Sequence, residues 1–327
     1  MNQNIFKKLH SEGLLSDESL NKIVSQPSQK TVSVHWELRT VLYTGVLLLT
    51  SGLGVLVYKN INTISHQAVL IFISLIGSGG FYYCFKNKLP FSLKKVEAPN
   101  SFFDYVLLLA CLCFIIFIGY WQYQFHVFGD KFGLATFIPM IVLFYSAYFF
   151  DHLGILSLAI TNLAAWLGIV VTPTQILKAN DFNSADIIII GLLLGIALVL
   201  AGKLTEIKKI KPHFELTYAN FGMHIVFISC IAGLFHFDAV YFLWFLALLA
   251  VAFYFYNEAK KRNSFYFLLM LTLYSYVGLS YVVIHFLFST VRGDNMSSVY
   301  LGFIYFIGSA IGLILFLIKM NKKLKSA

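Results

Sequence analysis

Residues 106–118 read VLLLACLCFIIFI, an apolar stretch in which large side chains occupy every face of a helix. A strand of a membrane β-barrel alternates apolar and polar residues, and this stretch does not alternate. A helix satisfies its own backbone hydrogen bonds, which matters in a bilayer because the hydrocarbon core holds no water to bond them. The stretch therefore predicts a membrane-spanning helix.

Nine further apolar runs resemble this one in length and composition. Of the 327 residues, 59% are hydrophobic and only 12% are charged, whereas a soluble protein carries about 25% charged residues. Each run is close to the roughly 20 residues that a helix needs to cross a bilayer core. We therefore predict an all-α fold, a polytopic integral membrane protein with about ten transmembrane helices. The runs are 41–58, 66–85, 102–121, 132–150, 153–171, 184–202, 217–236, 239–256, 264–289 and 299–319.

The basic residues predict the orientation of these spans. All but four of the 24 Lys and Arg residues fall in the two terminal segments or in every second gap between runs, and the exceptions are Lys59, Lys131, Lys178 and Arg292. By the positive-inside rule, both termini are predicted to be cytoplasmic, in the inner membrane of a bacterium. The net charge of +9 then reflects topology and attraction to anionic lipid headgroups, and we predict no nucleic-acid partner.

We predict three segments: a short cytosolic helical hairpin over residues 1–38, a ten-helix transmembrane domain over 39–320 and a basic cytosolic tail over 321–327. The first helix is expected to end at Gly13, and Ser16 is suited to cap the second. Two interpretations of the hairpin's apolar face stay open, packing on the membrane base or docking of a protein partner. The candidate docking residues are Leu14, Leu15, Leu20 and Ile23.

The N-terminal part of the chain also resembles a known family. Leu9–Val24, LHSEGLLSDESLNKIV, leads through His35–Trp36 to a glycine-rich first span, TGVLLLTSGLGVLVYKN over 44–60. This arrangement is similar to the bacterial predicted membrane proteins of the domain of unknown function 2157 family. Ile61 stands where that family usually has Trp, and the resemblance covers about residues 5–85. It implies a membrane protein and no settled activity.

Charged groups are missing from the centres of all ten runs. Asp104, Asp151 and Asp186 fall at run ends, whereas an ion-coupled carrier typically places a carboxylate within the membrane. The sequence therefore predicts no catalytic residue, no cofactor and no metal site. The outward-facing histidines are spread over separate connections without a metal-binding spacing, and they are His66, His126, His236 and His285.

Neutral polar residues remain as candidates for a substrate path. Two of them are four residues apart on one face of the seventh run, three form a stripe along the ninth, and one lies near the midplane of the fifth. Together they trace a hypothetical path across the bilayer. Hydrogen bonding between packed helices and an interfacial aromatic belt are the alternatives. The six candidates are Asn220, His224, Tyr274, Tyr281, His285 and Asn162.

Glycine spacing predicts where helices approach one another closely. The patterns Gly191-xxx-Gly195 and Gly308-xxx-Gly312 place two small residues on one helix face, which allows close packing in a membrane.

Three classes of function are compatible with these features. The leading hypothesis is a carrier or flippase-like protein for a neutral or amphipathic solute, since the spans are many and their polar groups uncharged. The alternative is a non-catalytic scaffold or sensor that recruits a partner through the hairpin. A membrane-embedded enzyme would need a cluster of reactive groups at one depth, and the sequence offers none. A polar cavity at mid-depth would favour the carrier.

Overall fold

The computed structural model describes residues 10, 12, 16, 35–60, 65–129, 132–171, 184–290 and 295–325. Over these residues the chain forms ten α-helices, two short 3-10 helices and no strand, which confirms the all-α prediction. The predicted N-terminal hairpin, including Leu14, Leu15, Leu20 and Ile23, lies almost wholly outside the described residues. The chain divides into two compact units, residues 1–49 and residues 50–327, and the contacts below lie within the second.

The helices follow the predicted runs closely. They are α1 His35–Asn60, α2 His66–Asn87, α3 Ser101–Phe125, α4 Phe132–Phe150, α5 Leu153–Val171, α6 Ala185–Lys208, α7 Glu215–His236, α8 Tyr241–Lys261, α9 Phe265–Thr290 and α10 Asn295–Lys325. Eight of the described helices are long and apolar enough to cross a membrane. The apolar parts of α1 and α5 are shorter, over Thr40–Val55 and Leu153–Gly168, so a count of ten spans stays a prediction.

Helix α7 lies at the centre of the second unit. Helices adjacent in sequence pack in pairs, α2 with α3, α4 with α5, α6 with α7 and α8 with α9, and α7 also contacts α5, α8 and α9. In the most apolar part of α7, 56% of the residues are buried, compared with 6% in the most apolar part of α10. The apolar residues of α10 that face outward are therefore available to lipid.

Glycines allow the close packing of α6 against α7. A Cβ atom added at Gly195 would lie 2.8 Å from the backbone nitrogen of Val226 and 3.1 Å from the carbonyl oxygen of Gly222. This confirms the prediction made from Gly191-xxx-Gly195. The corresponding prediction for Gly308 and Gly312 is wrong within this chain, since a Cβ there would meet no described atom within 4 Å. The outward position of α10 explains the difference.

A buried ion pair joins three connections at one end of the second unit. Lys211 Nζ lies 3.0 Å from Asp151 Oδ2, and both side chains are 1% exposed. His213 Nε2 contacts the other carboxylate oxygen at 2.5 Å, and the backbone N–H of Val96 donates to Asp151 Oδ2. Asp151 and Lys211 both adopt left-handed backbone conformations, with φ of 60° and 51°. This carboxylate therefore ties the loop after α2 to the connection between α6 and α7.

A second ionic network joins α6, α7 and α8. The Arg262 guanidinium donates to both carboxylate oxygens of Glu215 and also contacts Glu258 at 3.0 Å. Lys203 Nζ lies 3.0 Å from Glu258 Oε1. The hydrogen bond to Glu215 raises the pKa of Arg262 above its ordinary value, so the guanidinium stays charged at any physiological pH. Both networks lie at or beside the connections in which Lys and Arg are concentrated, which the positive-inside rule predicts to be on one side of the membrane.

Replacing Gly195 with Ala should destabilise the protein by about 1–3 kcal/mol, the range expected for overpacking. The added methyl group would meet the backbone of α7, which cannot move without separating the helices. The measurement is the free energy of unfolding of the purified protein, titrated with denaturing detergent in bicelles.

The matched control is Gly119→Ala in α3, where a Cβ would meet nothing within 4 Å. Equal effects of the two substitutions would contradict close packing at Gly195.

Candidate functional site between α7 and α9

Polar and aromatic side chains line the contact between α7 and α9, and we call this contact the α7–α9 seam. Five of the six substrate-path candidates lie along it. They form an inner cluster near the ionic networks and an outer cluster near the opposite end of the helices. The seam residues are Asn220, His224 and Asp238 on one side and Tyr266, Tyr274, Tyr281 and His285 on the other.

The inner cluster is a continuous chain of hydrogen bonds. The Tyr266 hydroxyl donates to Asn220 Oδ1 at 2.7 Å. His224 Nε2 lies 2.8 Å from the same hydroxyl, and His224 Nδ1 lies 2.8 Å from the hydroxyl of Tyr274. Because Tyr266 uses its proton for Asn220, it must accept from the Nε2–H of His224, and Nδ1 then accepts from Tyr274. A neutral imidazole satisfies all of these contacts at once.

Packing holds the Tyr274 end of this series of hydrogen bonds in place, whereas the Tyr266 end is accessible. The ring of Tyr274 stacks on Phe227 with centroids 5.1 Å apart and an interplanar angle of 8°. Tyr266, by contrast, is 41% exposed. The amide nitrogen of Asn220 has no hydrogen-bond partner among the described residues. The cluster therefore presents a free, uncharged donor beside a partly exposed hydroxyl.

The outer cluster brings the remaining two seam candidates together. The Tyr281 hydroxyl donates to Asp238 Oδ1 at 2.8 Å, and its ring packs on Phe235 at 4.5 Å. The ring of His285 lies 4.6 Å from that of Tyr241. Tyr274 and Tyr281 are seven residues apart, so the two clusters are separated by roughly 10 Å along the helix.

Asn162 is not part of the seam. It lies in α5, and its Oδ1 is buried without a hydrogen-bond partner among the described residues. One turn further on, the ring of Trp166 packs on Phe137 at 5.2 Å. A path that includes Asn162 stays a prediction.

Two cavities lie elsewhere in the second unit. One of about 590 Å³ lies between α2 and α3 and is lined by residues that include Gln67 and Trp121. Another of about 310 Å³ lies between α9 and α10. Neither is lined by any of the six candidates. Within the described residues, no three His, Cys, Asp or Glu side chains group closely enough to hold a metal ion.

Sequence reasoning missed the residue that joins the inner cluster. Tyr266 bonds both Asn220 and His224, yet it lies at the very start of the ninth run, where an interfacial tyrosine is ordinary. Tyr266 is eight residues from Tyr274, a spacing that places the two on neighbouring faces of the helix. This spacing was the one feature of the sequence that could have identified Tyr266 as a candidate. Asp238 and Tyr241 were missed for another reason, since only the fold brings that connection to α9.

Comparison with known proteins supports the membrane assignment. The family model described as "Predicted membrane protein (DUF2157)" matches residues 7–156. This confirms the resemblance over the N-terminal part of the chain and extends it to the start of α5. No curated protein and no solved structure matches the chain. The α7–α9 seam lies outside the matched segment, so the family description does not bear on it.

Tyr266→Phe and His224→Ala should be energetically coupled by about 1 kcal/mol, the magnitude of hydrogen bonds between membrane helices. Each substitution alone removes the hydrogen bond between the two side chains. The measurement is a double-mutant cycle on the free energy of unfolding in bicelles. In a matched cycle, Tyr123→Phe replaces Tyr266→Phe, because Tyr123 is 71% exposed and remote in sequence. Additivity in the first cycle would contradict the hydrogen-bond chain.

Proposed function

We propose that this membrane protein is a carrier of the flippase-like type for a neutral or amphipathic solute. The polar head of the solute exchanges hydrogen bonds with the α7–α9 seam while its apolar part stays in lipid. The observation that carries this proposal is the inner cluster, a series of hydrogen bonds that ends at Asn220, whose amide nitrogen bonds none of the described residues.

The energetics of transfer favour such a seam. A polar group that enters hydrocarbon without a partner loses several kcal/mol, and hydrogen-bonding groups at two depths lower this barrier. Apart from the carboxylate of Asp238 at the outer end, the seam offers hydroxyl, amide and imidazole groups, which suit an uncharged head. Ile228 and Phe235 on α7 are 55% and 56% exposed, so the helix face beside the seam is open to lipid.

A scaffold or sensor role is the second candidate. The two ionic networks, centred on Asp151 and Glu215, favour it because they fix the charged end of the second unit in one arrangement. Such an end suits a constant surface for a protein partner. The hairpin residues Leu14, Leu15, Leu20 and Ile23 stay the predicted docking residues in that case.

The proposed location is a bacterial inner membrane with both termini cytoplasmic. The meeting of the lysine-rich connections at one end supports this orientation under the positive-inside rule. Fusion of green fluorescent protein to the C-terminus should give fluorescent cells, and alkaline phosphatase at the same point should be inactive. Insertion of alkaline phosphatase after Gly129 should instead give activity. The reverse pattern would contradict the orientation.

Transport is tested with the full-length protein in phosphatidylcholine vesicles that contain a glycosylceramide with a nitrobenzoxadiazole-labelled acyl chain, whose sugar head is uncharged. The rate at which probe from the inner leaflet becomes reducible by dithionite reports movement across the bilayer. His224→Ala should lower the rate at least about tenfold, because it releases the hydroxyls of Tyr266 and Tyr274 from their positions and misplaced binding groups commonly cost that much or more. Asn162→Ala tests the central part of the hypothetical path separately.

The control is His236→Ala, which removes an imidazole at the end of the same helix, outside the seam. Wild-type rates in the His224→Ala protein would overturn the role of the seam. A wild-type protein that moves no probe would favour the scaffold.

A further inference from the structure

A groove of about 310 Å³ lies between α9 and α10. Its wall includes Thr272, Ser275 and Tyr276 from α9 and Ser309 and Gly312 from α10. Two hydrogen bonds hold the helices together beside it, one between Tyr276 and Ser309 and one between Ser280 and Tyr305, each 3.0 Å long. The volume lies at the lower end of the range for small-molecule sites, about 300–1,000 Å³.

One hydroxyl in the groove lacks a partner. Ser275 Oγ is buried and makes no hydrogen bond to any described residue. Hydroxyls nearby bond to their own helices instead, Thr272 to the carbonyl oxygen of Leu268 and Ser309 to that of Phe306. A buried hydroxyl without a partner is unfavourable. Ser275 lines the groove, so a rotation about its χ1 angle would bring the hydroxyl to an acceptor on a ligand there.

The groove lies near the middle of the membrane. Ser275 is ten residues from the start of α9, which corresponds to about 15 Å of helix, or half of a ~30 Å hydrocarbon core. Ser309 is ten residues from Val299, where the spanning part of α10 begins at the opposite side. Phospholipid heads remain at the membrane surface, so the natural ligand at this depth is a molecule dissolved in the hydrocarbon.

The lining specifies the chemistry of that molecule. Among the described residues, no charged side chain lines the groove, which excludes a phosphate or ammonium head. Its polar atoms are hydroxyls, which donate to acceptor oxygens. Tyr276, Tyr305 and Phe316 supply aromatic rings, which pack favourably on a flat ring. The remaining wall is apolar and suits a hydrocarbon tail.

We infer that the groove between α9 and α10 binds a quinone-like lipid, a flat neutral ring with carbonyl oxygens and an apolar tail. One carbonyl accepts from Ser275, and the ring lies among Tyr276, Tyr305 and Phe316. No electron transfer is part of this inference, because binding alone accounts for the lining. The site is separate from the α7–α9 seam and does not rest on the transport proposal.

The test uses the full-length protein in phosphatidylcholine nanodiscs with a photoreactive azidoquinone, followed by mapping of the labelled peptides. Labelling should saturate, fall on α9 and α10, and be displaced by decylubiquinone. Ser275→Ala should weaken binding about fivefold, the equivalent of one hydrogen bond. Gly312→Leu should reduce saturable labelling at least about tenfold, because its side chain would fill the groove.

Gly308→Leu is the matched control. A Cβ at Gly308 or at Gly312 meets nothing within 4 Å, both glycines are exposed, and Gly308 does not line the groove. The circular dichroism of both variants checks that they fold. Equal labelling of the Gly312→Leu and wild-type proteins would overturn the inference. Labelling confined to the cavity between α2 and α3, or displacement by phosphatidylglycerol as effective as by decylubiquinone, would also overturn it.

Discussion

The backbones of α6 and α7 meet at Gly195 and Gly222 so closely that no further side-chain atom fits between them. Between helices in lipid, van der Waals packing of this kind replaces the hydrophobic effect as the main attraction. With one face fixed against α6, α7 presents its other faces to α5, α8 and α9. The position of Asn220 and His224 opposite α9 follows from that arrangement. The candidate site thus depends on two residues that have no side chain.

The seam and the groove use hydrogen bonding in opposite ways. In the seam, His224 has partners for both ring nitrogens, so the cluster is a stable arrangement that a ligand can extend through Asn220. In the groove, Ser275 has none among the described residues, so a ligand would complete the site. An unpaired hydroxyl such as that of Ser275 is more unfavourable in a membrane than in water, because the hydrocarbon core holds no water to form the missing hydrogen bond.

Local periodicity predicted much of the fold and part of the site. Apolar runs gave the helix positions because the length of a span is a local property, and Gly191-xxx-Gly195 marked a real contact. Gly308-xxx-Gly312 did not, since small residues permit close packing without specifying a partner. The stripes on α7 and α9 were visible in the sequence, but their mutual contact depends on helix order in space. The pairing of Asp151 with Lys211 could not be predicted, because the two residues lie in separate connections that only the fold brings together.

The buried carboxylate of Asp151 has a consequence for biosynthesis. His213, one of its partners, is 62 residues later in the chain, and Lys211 is nearly as distant. At roughly 5–20 residues per second, a ribosome needs on the order of 3–12 s to synthesise that interval. While this interval is made, α5 and α6 follow α2, α3 and α4, and the cations that hold the loop after α2 are still absent. Helices α2, α3 and α4 therefore wait, with a hydrated carboxylate at their base, until the connection between α6 and α7 arrives.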